Sequence, residues 1–303
     1  MTEIESTARI KPPLNSLLDA SVAIEAANAS MAQSVQFMAR VFVQVTLPHS
    51  KPQSNEVERS NGSVRVSMMA PARIGLPYGS IPRLVLAWVS TEATRTRSRD
   101  LCLGTSFADF MSKVGLVTAG RSPTGGKTGS LRRVKDQCRR LFATTITCMT
   151  GSDGHTADRR FVLSDEVELW WEPISPDQKT LFKSTVRLSE TFFQEIVRAP
   201  VPIDLRALRA LKRSPLALDL YMWLTHRVFR LRAPATIPWP SLQRQFGAGY
   251  PETARGRADF RVKFQRALRK VELVYRAVRG RVILGDGHLT LLPASSHVHR
   301  LGA

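Results

Sequence analysis

Cysteine, long apolar runs and acidic side chains are all scarce in this chain, and each scarcity excludes something. The three cysteines, Cys102, Cys138 and Cys148, are an odd number without a close pair, which argues against both a disulfide framework and a zinc site. The longest apolar run, Leu84 to Val89, is far too short to cross a bilayer. No lipidation or secretory signal opens the chain, so a reducing cytoplasm is the expected location. No Ser/His/Asp, Cys/His or paired-carboxylate arrangement stands out; catalysis has no positive support and no cofactor is expected.

The shortage of carboxylates is the most informative of these. Against 25 Asp and Glu stand 44 Lys and Arg, a formal net charge of +19 with a pI near 10.9. That is far more than solubility needs, and it points to a polyanionic partner, most commonly nucleic acid. A hydrophobic content of 43% with 23% charged residues is that of a globular protein, and 303 residues suffice for two domains.

Two stretches repeat each other. Gly129 to Phe142 (GSLRRVKDQCRRLF) and Asp259 to Val271 (DFRVKFQRALRKV) are both basic and amphipathic at helical spacing. Before each lie a long apolar helix, a short extended piece and a short helix ending at a glycine; after each lies a β-branched run and a hairpin. Helix, helix, basic helix, hairpin is the order of a winged helix-turn-helix unit. The expected fold is therefore α+β, with two tandem winged helix-turn-helix domains at 38–172 and 180–298. A tail and helix precede them over 1–37, polar and disordered up to about residue 13 and then helical to about Met38. A linker occupies 173–179.

Within the first unit, Val41–Thr46 and Val64–Met69 alternate as strands, Ser80–Thr94 is a long helix, and Ser106 caps a short helix that Gly115 stops. Ala143–Met149 and Phe161–Trp171 form a hairpin through Ser152-Asp153-Gly154. The second unit has its long helix from Pro215, a short helix from Pro240 to Phe246, a basic helix from Arg257 to Val271, and a hairpin of Val282–Leu284 with Leu289–Leu292.

On the second basic helix, Phe260, Phe264, Ala267, Leu268 and Val271 share the core stripe. Asp259, Val262, Gln265, Arg266 and Arg269 fall opposite, flanked by Arg257, Arg261, Lys263 and Lys270. Arg and Gln can form bidentate contacts to guanine and adenine while flanking cations meet phosphates, which is the chemistry of groove reading. The competing reading is a solvated basic face. On the first basic helix Leu131, Val134, Cys138, Leu141 and Phe142 pack inward, and Arg132, Arg133, Asp136 and Arg140 point out. With few uncharged hydrogen-bonding groups outward, that helix is expected to hold backbone more than bases.

Other patterns favour plainer readings. Gly125-Gly126-Lys127-Thr128 resembles the end of a phosphate-binding loop but lacks its first glycine and a preceding strand, so Lys127 is expected to cap a turn or meet a DNA phosphate. His297-Val298-His299 has the form of a metal pair in rolling-circle nicking enzymes, yet it lies near the chain end, where a frayed tail is expected. Trp88, Trp223 and Trp170-Trp171 are expected in the core.

Three segments carry a resemblance to a known family. Gly75-Leu76-Pro77-Tyr78-Gly79-Ser80-Ile81-Pro82-Arg83-Leu84, Ala207-Leu208 through Ser214-Pro215-Leu216-Ala217-Leu218-Asp219, and Ile237-Pro238-Trp239 with Gln245-Phe246-Gly247 resemble the plasmid replication initiators called RepA. With both basic helices the resemblance covers about Val41 to Leu292. It implies a non-enzymatic initiator that binds repeated double-stranded sequences at a plasmid origin, helps open the duplex, and brings in the host initiator and helicase machinery. A monomer–dimer equilibrium is part of the same expectation. The rivals are a transcriptional repressor built on the same modules and a nicking enzyme using His297, His299 and a tyrosine.

Overall fold

A computed structural model describes residues 12–27, 33–104, 106–116, 130–152, 155–169, 184–247 and 249–298. Helix α1 (Pro12–Ala26) is followed by strand β1 (Val35–Met38) and the short helix α2 (Arg40–Gln44). Strands β2 (Glu56–Ser60) and β3 (Val64–Met69) lead into the long helix α3 (Ser80–Thr96). Strand β4 (Asp100–Gly104), α4 (Phe107–Lys113) and α5 (Ser130–Phe142) follow, then the hairpin of β5 (Thr145–Ser152) and β6 (His155–Val162). Strands β7 (Ser164–Glu168) and β8 (Ser184–Leu188) and helix α6 (Glu190–Arg198) close the first half.

Strand β9 (Val201–Asp204) and α7 (Leu205–Leu211) connect to the second half. There α8 (Pro215–Arg227), β10 (Ala235–Pro238), α9 (Trp239–Phe246) and α10 (Ala254–Val274) precede a hairpin of β11 (Val282–Leu284) and β12 (His288–Leu291). Its sheet order is β10-β12-β11, so the strand between the first two helices pairs with the last strand of the hairpin. The first half has the same order of helices but different sheets: β5 and β6 extend a four-stranded sheet β2-β3-β5-β6, and β4 pairs with β8 in β4-β8-β7.

Local chemistry explains most helix boundaries. Ser106, Ser189, Asp204, Ser214 and Thr253 each accept a hydrogen bond from the first turn of the helix they precede, which satisfies an otherwise orphaned N–H. Gly115, with φ +74°, ends the fourth helix in the left-handed conformation that a side chain would strain.

Three expected elements differ. Val41–Thr46 is not a strand: Arg40–Gln44 is a helical turn in which Val41, Phe42 and Val43 are all buried, and alternation carries no information where every side faces the core. The first helix stops at Ala26 because residues 35–38 pair antiparallel with 201–204, a long-range partner that local pattern cannot announce. The expected strand 161–171 is cut at buried Leu163 into parts belonging to different sheets. The linker 173–179, the Asp153-Gly154 turn, Trp170-Trp171, the loop 120–128 and the first eleven residues lie outside the described residues.

The two halves share one continuous core. Besides the β1–β9 pair, Thr46 donates to the Gln245 carbonyl at 3.0 Å and Gln245 returns a hydrogen bond to the Gln44 carbonyl at 2.7 Å. Between α3 and α8, Arg83 meets Asp219 through Nε at 2.6 Å and Nη2 at 2.7 Å, with both side chains buried. The long helices of the repeats are thus joined through a buried ion pair, and the basic helices α5 and α10 are mounted on one body.

Candidate nucleic-acid interface

Helix α10 is fixed from beneath by aromatic rings. Phe260, Phe264, Ala267, Leu268 and Val271 are all buried, and Phe264 meets Trp239, Phe246 and Phe260 edge-to-face at 5.5, 6.1 and 5.7 Å, an arrangement that suits the ring quadrupoles. The opposite face is therefore presented rigidly. Asp259, Val262, Gln265, Arg266 and Arg269 are exposed, as the helical spacing requires. Val262 is 46% exposed; an outward valine between Arg and Gln is an apolar contact of the kind that a thymine methyl takes.

The flanking cations divide into two sets. On the hairpin side, Arg261 lies over the Trp239 ring at 5.0 Å and donates to the Gly285 carbonyl at 3.1 Å, tying the helix to the β11–β12 turn. Trp239 Nε1 donates to the same carbonyl at 2.9 Å. Arg257 is exposed and donates to the Glu252 carbonyl at 2.9 Å. On the other side the flanking Lys263 and Lys270, joined by Arg266 from the edge of the outward face, line a cleft between the halves, across from Lys51 and Arg59. The last two were missed by sequence reading, because they come from a loop and a strand whose place beside α10 is fixed only by tertiary packing.

On α5, Val134, Cys138, Leu141 and Phe142 are buried and Arg132 and Arg133 are exposed, as expected. Arg140 has a different setting: it is 16% exposed, paired to Asp136 at 2.8 Å, and placed 5.7 Å from the centre of the Tyr78 ring. It faces Gly75, where an added Cβ would come within 2.6 Å of its guanidinium and where φ is +76°. Gln137, beside it, accepts from the Tyr78 N–H at 2.8 Å. These two side chains hold the 75–78 segment. The exposed cation that sequence reading passed over is Arg139, seven residues from Arg132 and hence on the same face, a spacing that could have revealed it. Lys127 lies outside the described residues, as does Leu131's side chain.

The alternative catalytic constellation has another use. His297 Nδ1 is 2.7 Å from the Tyr221 hydroxyl, and its ring packs 4.6 Å from that of Tyr275. Both tyrosines are fully buried, and burial raises the pKa of each hydroxyl. The segment is docked rather than frayed, with Val298 buried and the Ala294 N–H bonded to the Val228 carbonyl. His299 lies outside the described residues, among which no group of three or more metal-ligating side chains occurs. No helix among the described residues is long and apolar enough to cross a membrane.

A family model for plasmid-encoded RepA proteins matches residues 76–240, more than half of the chain. The chain belongs to the RepA family. The matched span runs from just before α3 through α5 to the first residues of α9, so α10 lies beyond it. A comparison with curated protein sequences gives no match. Among solved structures, a crystal structure of domains 2 and 3 of RctB superposes with a TM-score of 0.50 at 13% identity, covering 85% of this chain and 98% of that one. A second structure of the same RctB domains gives a TM-score of 0.45 at 12% identity, covering 82% and 90%. The RctB likeness is one of fold; family membership supports a role in starting plasmid replication.

Proposed function

We propose that this RepA-family chain is a plasmid replication initiator that binds repeated double-stranded sequences at its origin, without covalent chemistry of its own. The observation that carries the reading is the outward face of α10: Val262, Gln265, Arg266 and Arg269 are exposed together on a helix locked by Phe260 and Phe264. Among the described residues no hydrogen bond or ion pair occupies Gln265, Arg266 or Arg269, so their donors are free to meet base edges. The sheet order β10-β12-β11 behind that helix supports a winged helix-turn-helix module in the second half.

In the first half the shared order of helices and the β5–β6 hairpin support a second such module, with its first strand recruited to another sheet. There α5 engages backbone phosphate through Arg132, Arg133 and Arg139. Opening of the duplex, recruitment of host initiator and helicase, a monomer–dimer equilibrium and action in the cytoplasm complete the proposal and rest on family membership. Footprinting on DNA flanking the gene tests it, together with transformation by an origin plasmid with the protein supplied in trans. Protection of repeated sites and replication of the plasmid are the expected results. Protection without replication would make the chain a repressor, and a covalent nick in supercoiled origin DNA would make it a nicking enzyme.

A further inference from the structure

The cleft beside α10 has a volume of about 910 Å³ and is walled by both halves. Lys51 and Arg59 come from the first half, and Lys263, Arg266 and Lys270 from the second; no described residue lining it is an Asp or Glu. The start of α8, at Ser214 to Leu216, also opens onto it, adding the partial positive charge of a helix N-terminus. Arg59 is the unusual member. It is 9% exposed, its Nη1 donates to the Glu58 carbonyl at 2.9 Å, and its Nε is the one buried side-chain nitrogen or oxygen without a hydrogen-bond partner among the described residues.

An unpartnered guanidinium nitrogen out of water is costly, and a persistent one implies a group that completes it in the working state. Burial, and then the nearby charge of Arg83, lower the Arg59 pKa to about 10 against the opposing pull of Asp219, so it still carries its charge at neutral pH. Five cations converge from two sides on a lining without a carboxylate, and Asp219, behind His49, is already paired with Arg83, so the cleft suits an anion with several oxygens and more than one charge. A guanidinium at the floor suits one with paired oxygens.

We propose that this cleft is a phosphate-binding site assembled from both halves, with Arg59 at its floor and Lys51, Lys263, Arg266 and Lys270 on its walls. Two sources share that chemistry: a backbone phosphate of bound duplex, which rests on the DNA-binding reading above, and the polyphosphate of a free nucleotide, which does not. Either would touch both halves at once and fasten α10 to the β2 side of the first half.

The test is thermal unfolding of the full chain with sodium tripolyphosphate and, separately, with a random-sequence duplex. The variants are Arg59→Met, Lys51→Gln and, at an exposed cation outside the cleft lining, Arg187→Gln. Tripolyphosphate should raise the melting temperature of the wild type and of Arg187→Gln, and bind about tenfold more weakly to Arg59→Met, the loss expected for a charge-assisted hydrogen bond. Without anion, Arg59→Met should be at least as stable as wild type, because it removes a buried, incompletely paired charge. Lys51 is exposed, so Lys51→Gln decides the matter if Arg59→Met does not fold.

Weakened duplex binding by the cleft variants would identify backbone as the phosphate source; unchanged duplex binding with an Arg59-dependent tripolyphosphate effect would identify the nucleotide. Failure of any duplex to bind wild type, with the tripolyphosphate effect intact, would remove the DNA reading and leave the cleft standing. Equal responses of wild type and both cleft variants to both anions would overturn the site while leaving DNA binding in place. A wild type that responds to neither anion would overturn both the site and the DNA-binding reading.

Discussion

Arg83 on α3 and Asp219 on α8 form a two-pronged ion pair across the junction between the halves, at 2.6 and 2.7 Å, with Asp219 1% exposed. The remaining Arg83 donors reach the carbonyls of Leu47, Pro48 and Gly79 at 2.5, 3.2 and 2.6 Å, and His49 Nε2 lies 2.7 Å from the second Asp219 oxygen. Every polar group of the pair is thus engaged, the condition under which burying two charges is tolerable. Asp219→Ala should destabilise the chain by about 3 to 5 kcal/mol, because it leaves the arginine charge without its counter-ion. Replacing both with apolar residues, Arg83→Met with Asp219→Leu, should recover most of that loss. Urea unfolding of the three chains checks it.

The same cluster sets a pH dependence. Burial lowers the His49 pKa against the opposing pull of Asp219, so the ring is neutral and donates its Nε2 hydrogen to that carboxylate. Burial, then the charges of Arg230, Arg40 and Arg227, lower His226 from 6.5 to about 4. The unfolded chain therefore binds protons that the folded one excludes, and stability falls as pH drops below about 6.5. The slope approaches about 1.4 kcal/mol per pH unit for each fully excluded proton, and less for the partly exposed His226. Burial pushes the Asp219 carboxyl up, but Arg83 and His49 outweigh it and its net pKa is lowered, so its contribution is lost only at lower pH still. Melting temperatures between pH 7 and 4 should decline, and the decline should be shallower for His226→Asn.

Beneath the reading face, Phe264 is fully buried among Trp239, Phe246 and Phe260. Phe264→Ala should cost about 3 to 5 kcal/mol through the cavity it leaves, and DNA binding should fail as a consequence of loosened packing. Differential scanning calorimetry separates this from a surface effect, since Val262→Ala on the opposite side should leave the melting temperature within about a degree or two of wild type.

Arg140 and Arg132 should behave differently although both lie on α5. Arg140 is spent on Asp136, Tyr78 and the 75–78 segment, so Arg140→Ala should lower stability and leave the salt dependence of DNA binding unchanged. Arg132→Ala should do the reverse, weakening random and specific duplexes alike while the melting temperature holds.

What the sequence made legible was what depends on neighbours a few residues away. The core stripe of α10, the caps at Ser106 and Gly115 and the hairpin strand 282–284 follow from helical spacing, capping chemistry and turn glycines. The strands 35–38 and 56–60 were not legible, because their partners at 201–204 and 64–69 decide their conformation. The shared core was hidden for the same reason: Arg83 and Asp219 are 136 residues apart, and each alone reads as an ordinary charge on an apolar helix. At the site, the outward residues of α10 could be named from the wheel, whereas Lys51 and Arg59 reach the cleft through tertiary folding alone.

If both basic helices hold one duplex, the salt dependence of binding reports their joint contact. The log of the affinity of the full chain for its footprinted site should fall with log salt by about 0.9 for each phosphate neutralised. Arg132→Gln with Arg133→Gln should reduce that slope by up to about two such contacts while preserving the preference for the site. Gln265→Ala with Arg269→Ala should cost about 1 to 3 kcal/mol per bidentate contact on the specific site and little on random DNA. A slope unchanged by the α5 pair, or equal losses on specific and random duplex for the α10 pair, would contradict the account.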